Sequence, residues 1–496
     1  MSSLIDQLVR HQDKIAFWEG NHSYSYSTLS AHVTKVSSWL LEDCGDLKGK
    51  RIGLMATPGI DYLCGLLGIW QAGGIAVPVC LTYPPEQINY SASDAGISGM
   101  LCSSEYIDKI KPIAFQLNFK IGDIKLIFQS DAIKILPIID IDREAMILYT
   151  SGTTNKPKGV VTTHQNISAQ ISTLVDAWAW NKEDEIISFL PLHHVHGIIN
   201  IVCCALWSGA TLHFIPSFDA PEVSRIILQQ PINLFMAVPT IYFKYVQYLT
   251  DLDPVLKTNL LQKLAGFRLM VSGSAALPVS VLEDWKALTG HTLLERYGMT
   301  EIGMAISNPL HGERKPGSIG RPLPGVAVRL ADDQGNAVMD GQMGEIQIKG
   351  NNVFQRYWQR PDVTRQAFTE DGWFKSGDIA VVEGGYYRIM GRNSVDIIKS
   401  GGYKISALEI EEILRSYPGI KDCAVVGLPN VEWGETIAAA ILTEEKNELD
   451  IHSLKQWLQN KLPSYRMPRK YIQLAELPRN SMGKVIKGEV KKIFEP

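Results

Sequence analysis

Nowhere is this 496-residue chain apolar for long enough to cross a bilayer. Its most apolar run, near Ile198 to Trp207, is interrupted by Asn200 and falls well short of the roughly 20 residues a spanning helix needs. The opening stretch MSSLIDQLVRHQDK has neither the continuous apolar core nor the small-residue cleavage site of a secretory signal. The seven cysteines (Cys44, Cys64, Cys80, Cys102, Cys203, Cys204 and Cys423) are odd in number and form no C-x-x-C pair. That pattern suits packed thiols in a reducing compartment, and the expected location is cytoplasmic, with no stable membrane insertion. An excess of positive charge is also missing: 48 basic against 52 acidic residues give a net charge of −4, which argues against a protein that grips nucleic acid by neutralising phosphates. No internal repeat or low-complexity segment occurs.

What is present is an ordinary globular composition, 45% apolar and 20% charged, in a chain long enough for two or three domains at roughly 150 residues each. Up to about residue 390, short apolar runs alternate with helix-length amphipathic segments. Asp61 to Gln71 reads as a helix stopped at Gly73-Gly74 and followed by a strand from Ile75 to Cys80, the rhythm of layered α/β architecture. Beyond Gly391 the pattern becomes a helix (Ser406 to Tyr417), strands (Cys423 to Leu428, Ile437 to Leu442), a helix (Asp450 to Leu462) and a strand near Tyr471. The expected fold class is therefore α/β, with a large N-terminal domain of layered sheets and helices (1–391), a hinge (392–396) and a small mobile α+β C-terminal domain (397–496). Between Lys455 and Lys492 that small domain carries ten basic side chains against two acids, a face suited either to solvent or to phosphates.

The chemistry concentrates where apolar runs end in polar clusters. Met146 to Tyr149 enters Thr150-Ser-Gly-Thr-Thr-Asn-Lys-Pro-Lys-Gly159. Glycine lets backbone N–H groups turn onto an anion, while hydroxyls and lysines add donors and charge, so a polyphosphate is the natural guest. It is not the P-loop, because Gly152 is followed five positions later by Pro157. Leu234 to Val238 runs into Pro239-Thr240, Leu269 to Val271 into Ser272-Gly-Ser-Ala275, and Leu293-Leu294 into Glu295-Arg-Tyr-Gly-Met-Thr-Glu301. In open α/β sheets such carboxyl-terminal strand ends share one ligand crevice. A turn glycine, a packed tyrosine or a surface glutamate explains each cluster taken singly; together they nominate one site. The histidines at 193 to 196 have no cysteine or acid at ligand spacing, so no structural metal site is expected there.

YTSGTTNKPKGV, RYGMTE, SGDIA (Ser376 to Ala380), Gly391-Arg392 and PRNSMGK (Pro478 to Lys484) resemble, in order and spacing, the motifs of the acyl-adenylate-forming superfamily of acyl-CoA synthetases, carrier-loading adenylation domains and luciferases. The resemblance runs from Tyr149 to Lys484, with Asn155 where the family loop has glycine. It implies ATP, Mg²⁺ and coenzyme A, and a two-step reaction in which a carboxylic acid becomes an acyl-adenylate and a thiol then displaces AMP. By that resemblance Thr150, Ser151, Gly152, Thr153, Thr154 and Lys158 hold the phosphates, and Ser274, Tyr297 and Gly298 lie beside the nucleotide. Thr300 touches the α-phosphate, Glu301 and Thr153 serve Mg²⁺, and Asp378 and Arg392 hold the ribose. Lys484 is the adenylation lysine. Gly401-Gly402 match the turn of the pantetheine tunnel, and the hinge falls on Ser394 or on Val395-Asp396, with Asp396 preferred.

The segments PLHHVHG, VPTIYFK, LERYGMTE and SVDIIKSGGYKISALEIE resemble in particular the malonyl-CoA synthetases. The acyl pocket is expected among His193 to Gly197, Val238 to Lys244, Ser272 to Ala275 and Arg296. A buried cation without a partner is strongly unfavourable, so Arg296 and Lys244 point to a substrate with a second carboxylate, unless Arg296 pairs with Glu295, Glu301 or another acid and Lys244 lies at the surface; the resemblance implies His194 or His196 beside Arg296 at that carboxylate. Malonate fits, and methylmalonate differs by one methyl group. The alternatives are a medium-chain or aromatic acyl-CoA synthetase and a carrier-protein-loading adenylation enzyme. The partner implied is a small carboxylic acid, with no obligate protein partner.

Overall fold

The structure, a computed structural model, describes residues 4–150, 156–443, 449–479 and 485–494. Among them lie four sheets. The largest has Leu294–Met299, Leu269–Ser272, Leu234–Ala237, Glu185–Ser188, Thr211–Phe214 and Ile15–Glu19 as adjacent parallel strands, with antiparallel edges at Gly303–Ser307 and His22–Ser25. These strands are near-continuous runs of buried residues, as expected where helices cover both faces of a parallel sheet. A second sheet places Glu144–Thr150, Ile75–Pro78, Arg51–Met55, Gly99–Cys102 and Lys120–Asp123 in parallel and folds Lys158–Thr163 back against Glu144–Thr150. Helices pack on both, among them Ile60–Gln71, nearly every residue of which is buried. The sequence reading of that helix, its stop and the following strand is met within a few residues.

One buried ion pair stitches the starts of three strands of the first sheet. Asp184, beside Glu185–Ser188, is fully buried and binds the Arg268 guanidinium through both oxygens. It also accepts from the Asn181 N–H at 2.9 Å and from the Asn233 side chain at 3.2 Å. Arg268 in turn donates to the Trp178 carbonyl at 2.8 Å.

A four-stranded antiparallel sheet follows, Ala327–Ala331, Gly344–Lys349, Phe374–Glu383 and Tyr386–Arg392. The next strand, Ile397–Ser400, belongs to a different sheet, with Tyr403–Ser406, Gly434–Thr443, Ile420–Asn430 and Lys470–Gln473. Its helices are Ala407–Arg415, capped by Ser406, Ile451–Gln459, capped by Asp450, and Lys487–Ile493. Every element anticipated after Gly391 is present, and the strands run a few residues longer than their apolar cores. Two ion pairs tie this last unit to the rest, Arg388 with Glu409 at 2.8 Å and Lys404 with Asp333 at 2.8 Å. Among the described residues no helix is long and apolar enough to cross a membrane, and all seven cysteines are free. Ile198 to Trp207 is largely buried, its first part as a π-helical segment, His196–Cys203.

Removing Arg268 would strand the Asp184 carboxylate in the core. The expected result for Arg268→Ala is a loss of about 3–5 kcal/mol in urea-monitored stability.

Candidate active site

One sequence expectation about local structure changes once the strands are seen. The RYGM segment does not follow a strand; it is the end of Leu294–Met299, paired antiparallel with Gly303–Ser307. SGDIA likewise lies inside the strand Phe374–Glu383. The tight return at Thr300 to Ile302 needs Gly298, because a Cβ there would stand 2.1 Å from the Gly303 carbonyl oxygen. Consecutive strand residues face opposite ways, so neighbours Arg296 and Tyr297 serve two different compartments.

On one side Arg296 is buried, 3% exposed, and among the described residues it forms no ion pair. Neither Glu295 nor Glu301 neutralises it. Burial alone pulls its guanidinium down to about 9. One nitrogen, Nη2, donates to Ser274 Oγ at 3.3 Å, and Nε has no partner. The Ser274 hydroxyl also lies 3.2 Å from His196 Nδ1. Burial and the Arg296 charge drive His196 far below its ordinary pKa, so its ring is neutral. Where the Ser274 hydroxyl gives its proton to Nδ1, the ring proton sits on Nε2, and in either tautomer Nε2 has no partner. Two buried nitrogens, joined through one serine, thus lack a hydrogen-bond partner. The turn is shaped for this: a Cβ on Gly273 would meet the Arg296 guanidinium carbon at 2.6 Å, and Ser274 holds a left-handed backbone with φ of 73°. Ser274, anticipated beside the nucleotide, is in contact with Arg296 and His196. The His193 and His194 rings lie 4.1 Å apart, tilted by 48°, and both are driven down by burial, His193 to about 3. Lys244 does not join Arg296: it occupies an exposed position on Pro239–Asp251, whose buried stripe runs through Tyr242 and Tyr245.

On the other side the Tyr297 hydroxyl donates to Asp378 Oδ2 at 2.6 Å, and Arg392 Nε lies 3.7 Å from Asp378 Oδ1. Arg392 also donates to the Ser376 carbonyl at 3.2 Å. Tyr297, Asp378 and Arg392, far apart in sequence, form one polar cluster.

A third group occupies the turn. Glu301 is buried, and burial raises its carboxyl pKa despite the 2.9 Å bond from the Tyr357 hydroxyl. Lys158 lies over the Tyr357 ring at 4.8 Å, and Lys158 is the register partner of Thr150. Thr300 precedes Glu301, so Thr150, Lys158, Thr300 and Glu301 share one region. Ser151, Gly152, Thr153, Thr154 and Lys484 lie outside the described residues. The flanks of that loop are held by one helix, Pro85–Ala95: Tyr149 donates to Asp94 at 2.8 Å and Tyr90 to the Pro157 carbonyl at 2.9 Å. Tyr357, Tyr90 and Asp94 were missed from sequence, since nothing near them in the chain carries a motif.

In the last unit, Gly401 and Gly402 turn the hairpin with φ of 58° and 83°, Gly401 donating to the Trp433 carbonyl at 2.9 Å. Asp396 accepts the Arg392 N–H at 2.9 Å.

The sequence matches the AMP-binding enzyme family over residues 4–358 and the AMP-binding enzyme C-terminal domain over residues 409–484. It is 40% identical over 524 residues to the human protein malonate–CoA ligase ACSF3, mitochondrial, covering 98% of this chain and 90% of that one. The fold superposes on the crystal structure of ATP-bound MatB from Rhodopseudomonas palustris with a TM-score of 0.91, at 31% identity and 99% coverage of each chain. A malonyl-CoA ligase in ternary product complex with methylmalonyl-CoA and AMP gives a TM-score of 0.69 at 34% identity, over 94% of this chain and 97% of that one.

If the Tyr297 hydroxyl orients Asp378 for a ligand, Tyr297→Phe is expected to weaken nucleotide binding by about 1.5–3 kcal/mol, measured by calorimetric titration with ATP, with little change in unfolding midpoint.

Proposed function

Because this chain belongs to the AMP-binding enzyme family, we propose that it is an ATP-dependent malonate–CoA ligase, forming malonyl-adenylate and pyrophosphate and then malonyl-CoA and AMP. The observation that carries the acid assignment is the pair of buried, unpartnered nitrogens, Arg296 Nε and His196 Nε2, bridged by Ser274. An acceptor carrying a full negative charge satisfies both, and arginine holds a carboxylate through parallel bonds. A fatty acid offers nothing to that pair. Methylmalonate adds one methyl, worth only about 1–3 kcal/mol of discrimination, and is expected as a poorer or comparable substrate.

In the first step Arg296, Ser274 and His196 hold the distal carboxylate while the near one meets the α-phosphate of ATP. Asp378 and Arg392 hold the ribose, with Tyr297 and Gly298 at the base. Thr150, Lys158, Thr300 and the loop residues Ser151 to Thr154 take the phosphates, and Lys484 brings the cation that steadies crowded oxyanions. A magnesium ion fits Glu301, a buried carboxylate that forms no ion pair among the described residues; one such oxygen donor plus phosphates is how Mg²⁺ is commonly held. When bound, that ion would neutralise charge on the phosphates, with Thr153 assigned beside it. Lys244 serves as an outlying charge for the incoming acid. The hinge is placed at 392–396, between 1–391 and 397–496, with Asp396 its central residue and Gly401-Gly402 serving coenzyme A. The higher likeness to the ATP-bound neighbour than to the product complex supports reading the described arrangement as that of the first step. A cytoplasmic location rests on the free cysteines, while the human relative is named mitochondrial.

Coenzyme-A-dependent AMP release should be fastest with malonate among malonate, methylmalonate, acetate and octanoate; octanoate as the best acid would overturn the assignment. Arg296→Ala is expected to cost malonate about 2–5 kcal/mol in kcat/KM and to leave AMP binding within experimental scatter. Since burial raises the Glu301 pKa, its proton must leave before it holds a cation, so the Mg²⁺ concentration for half-maximal rate should rise as pH falls, and Glu301→Gln should abolish that pH dependence.

A further inference from the structure

The turn that joins the two units is closed by a buried charge relay whose centre is a lysine outside every motif discussed so far. Lys487 opens the last helix, Lys487–Ile493, and is only 8% exposed. Its ammonium lies 2.6 Å from Asp396 Oδ1 and 2.7 Å from Glu411 Oε1. Burial disfavours the ammonium, but the two carboxylates outweigh it and hold the lysine protonated.

Each carboxylate is tied to a different part of the molecule. Glu411 is buried in Ala407–Arg415, accepts the Val425 N–H at 2.8 Å and lies 3.4 Å from Arg415, so it is fixed in the core of the small unit. Asp396 Oδ2 accepts the Arg392 N–H at 2.9 Å, while the Asp396 N–H donates to the Arg392 carbonyl at 2.7 Å. The Arg392 peptide is therefore gripped from both sides. Gly391 makes room for this: its φ is 126° and a Cβ there would stand 2.3 Å from Asp396 Cβ. Arg392 then faces Ser376 and Asp378. A continuous path runs from the small unit's core through Glu411, Lys487, Asp396 and Arg392 to the ribose cluster. In the chain, Lys487 also follows Lys484 by three residues, so it fixes where that segment rejoins the described fold.

We propose that Lys487 is a positioning residue for adenylate formation, locking the 392–396 turn and the return point of the Lys484 segment in the arrangement the first step uses. Without its ammonium two buried carboxylates face each other, an unfavourable pairing that is relieved by Asp396 releasing the turn. The second step, which dispenses with Lys484, does not need that lock. The inference rests on the reading of Lys484 as the adenylation lysine, so the experiment includes a variant that tests that reading by itself.

The full-length enzyme is assayed for malonate-dependent ATP–pyrophosphate exchange and, separately, for transfer of pre-formed malonyl-adenylate to coenzyme A. Lys484→Ala should abolish exchange; if exchange persists, the reading of Lys484 fails, whatever Lys487 does. Lys487→Met should slow exchange about tenfold or more while transfer stays within about threefold of wild type, and Lys487→Arg should recover most of the exchange. Asp396→Asn, which keeps an acceptor for the Arg392 N–H and drops the ion pair, should show the same split and covers the case in which Lys487→Met does not fold. Equal loss in both half-reactions for the folded variants, or no loss in exchange, overturns the proposal.

Discussion

A guanidinium kept out of water and away from any carboxylate is the constraint around which this site is arranged. Arg296 could have been neutralised cheaply, since Glu295 precedes it in the chain, yet Glu295 accepts from the Gly317 N–H and is itself pushed up to about 8 by burial. Strand alternation sends these two side chains to opposite faces. Among the described residues the charge on Arg296 consequently stays unmatched, a costly desolvation that a ligand of opposite sign would offset. Gly273, with no room for a side chain, and Ser274, in a left-handed conformation, are local concessions to that arrangement. Strain and uncompensated polarity cluster at functional positions for this reason.

The same alternation explains how one short strand serves a two-step enzyme. Arg296 turns to Ser274 and His196, Tyr297 turns to Asp378 from the opposite face, and Thr300 and Glu301 follow at the turn. Distant segments complete each compartment: Asp378 and Arg392 arrive from an antiparallel sheet, and Lys158 and Tyr357 meet at an edge of the second large sheet. On the proposed reading, parallel-sheet rigidity holds the fixed donors, while Lys484 is the cation that comes and goes. Separating the mobile cation from the fixed donors lets one crevice run two chemistries in turn.

Much of this was legible in the sequence, and the reasons differ by feature. Motifs whose chemistry requires adjacent residues, such as the loop at Thr150 and the Arg296 to Glu301 run, announce themselves. The helices and strands after Gly391 were readable because their apolar periodicity is uninterrupted and their caps, Ser406 and Asp450, are strong. What escaped was relational. Tyr357 bonds Glu301 across 56 positions of chain, and no local pattern marks it. Lys244 looked like a partner of Arg296 because both are cations near the right strands, but helical phase puts it on the exposed side of a helix buried through Tyr242 and Tyr245. Ser274 could be tied to no particular neighbour from sequence, and its left-handed turn brings it against Arg296 and His196. Sequence reports which groups are available; which face each one takes is decided by pairing.

The central claim is that a distal negative charge, rather than size or shape, is what the acid pocket selects. The most direct measurement compares pyrophosphate exchange with malonate and with malonamate, which keeps the near carboxylate and the length but carries a neutral amide at the far end. The account expects a preference for malonate of about 30-fold or more, the equivalent of at least 2 kcal/mol for a buried charge pair. Comparable rates for the two acids would contradict it, because an uncharged end would then satisfy Arg296 as well as a carboxylate does.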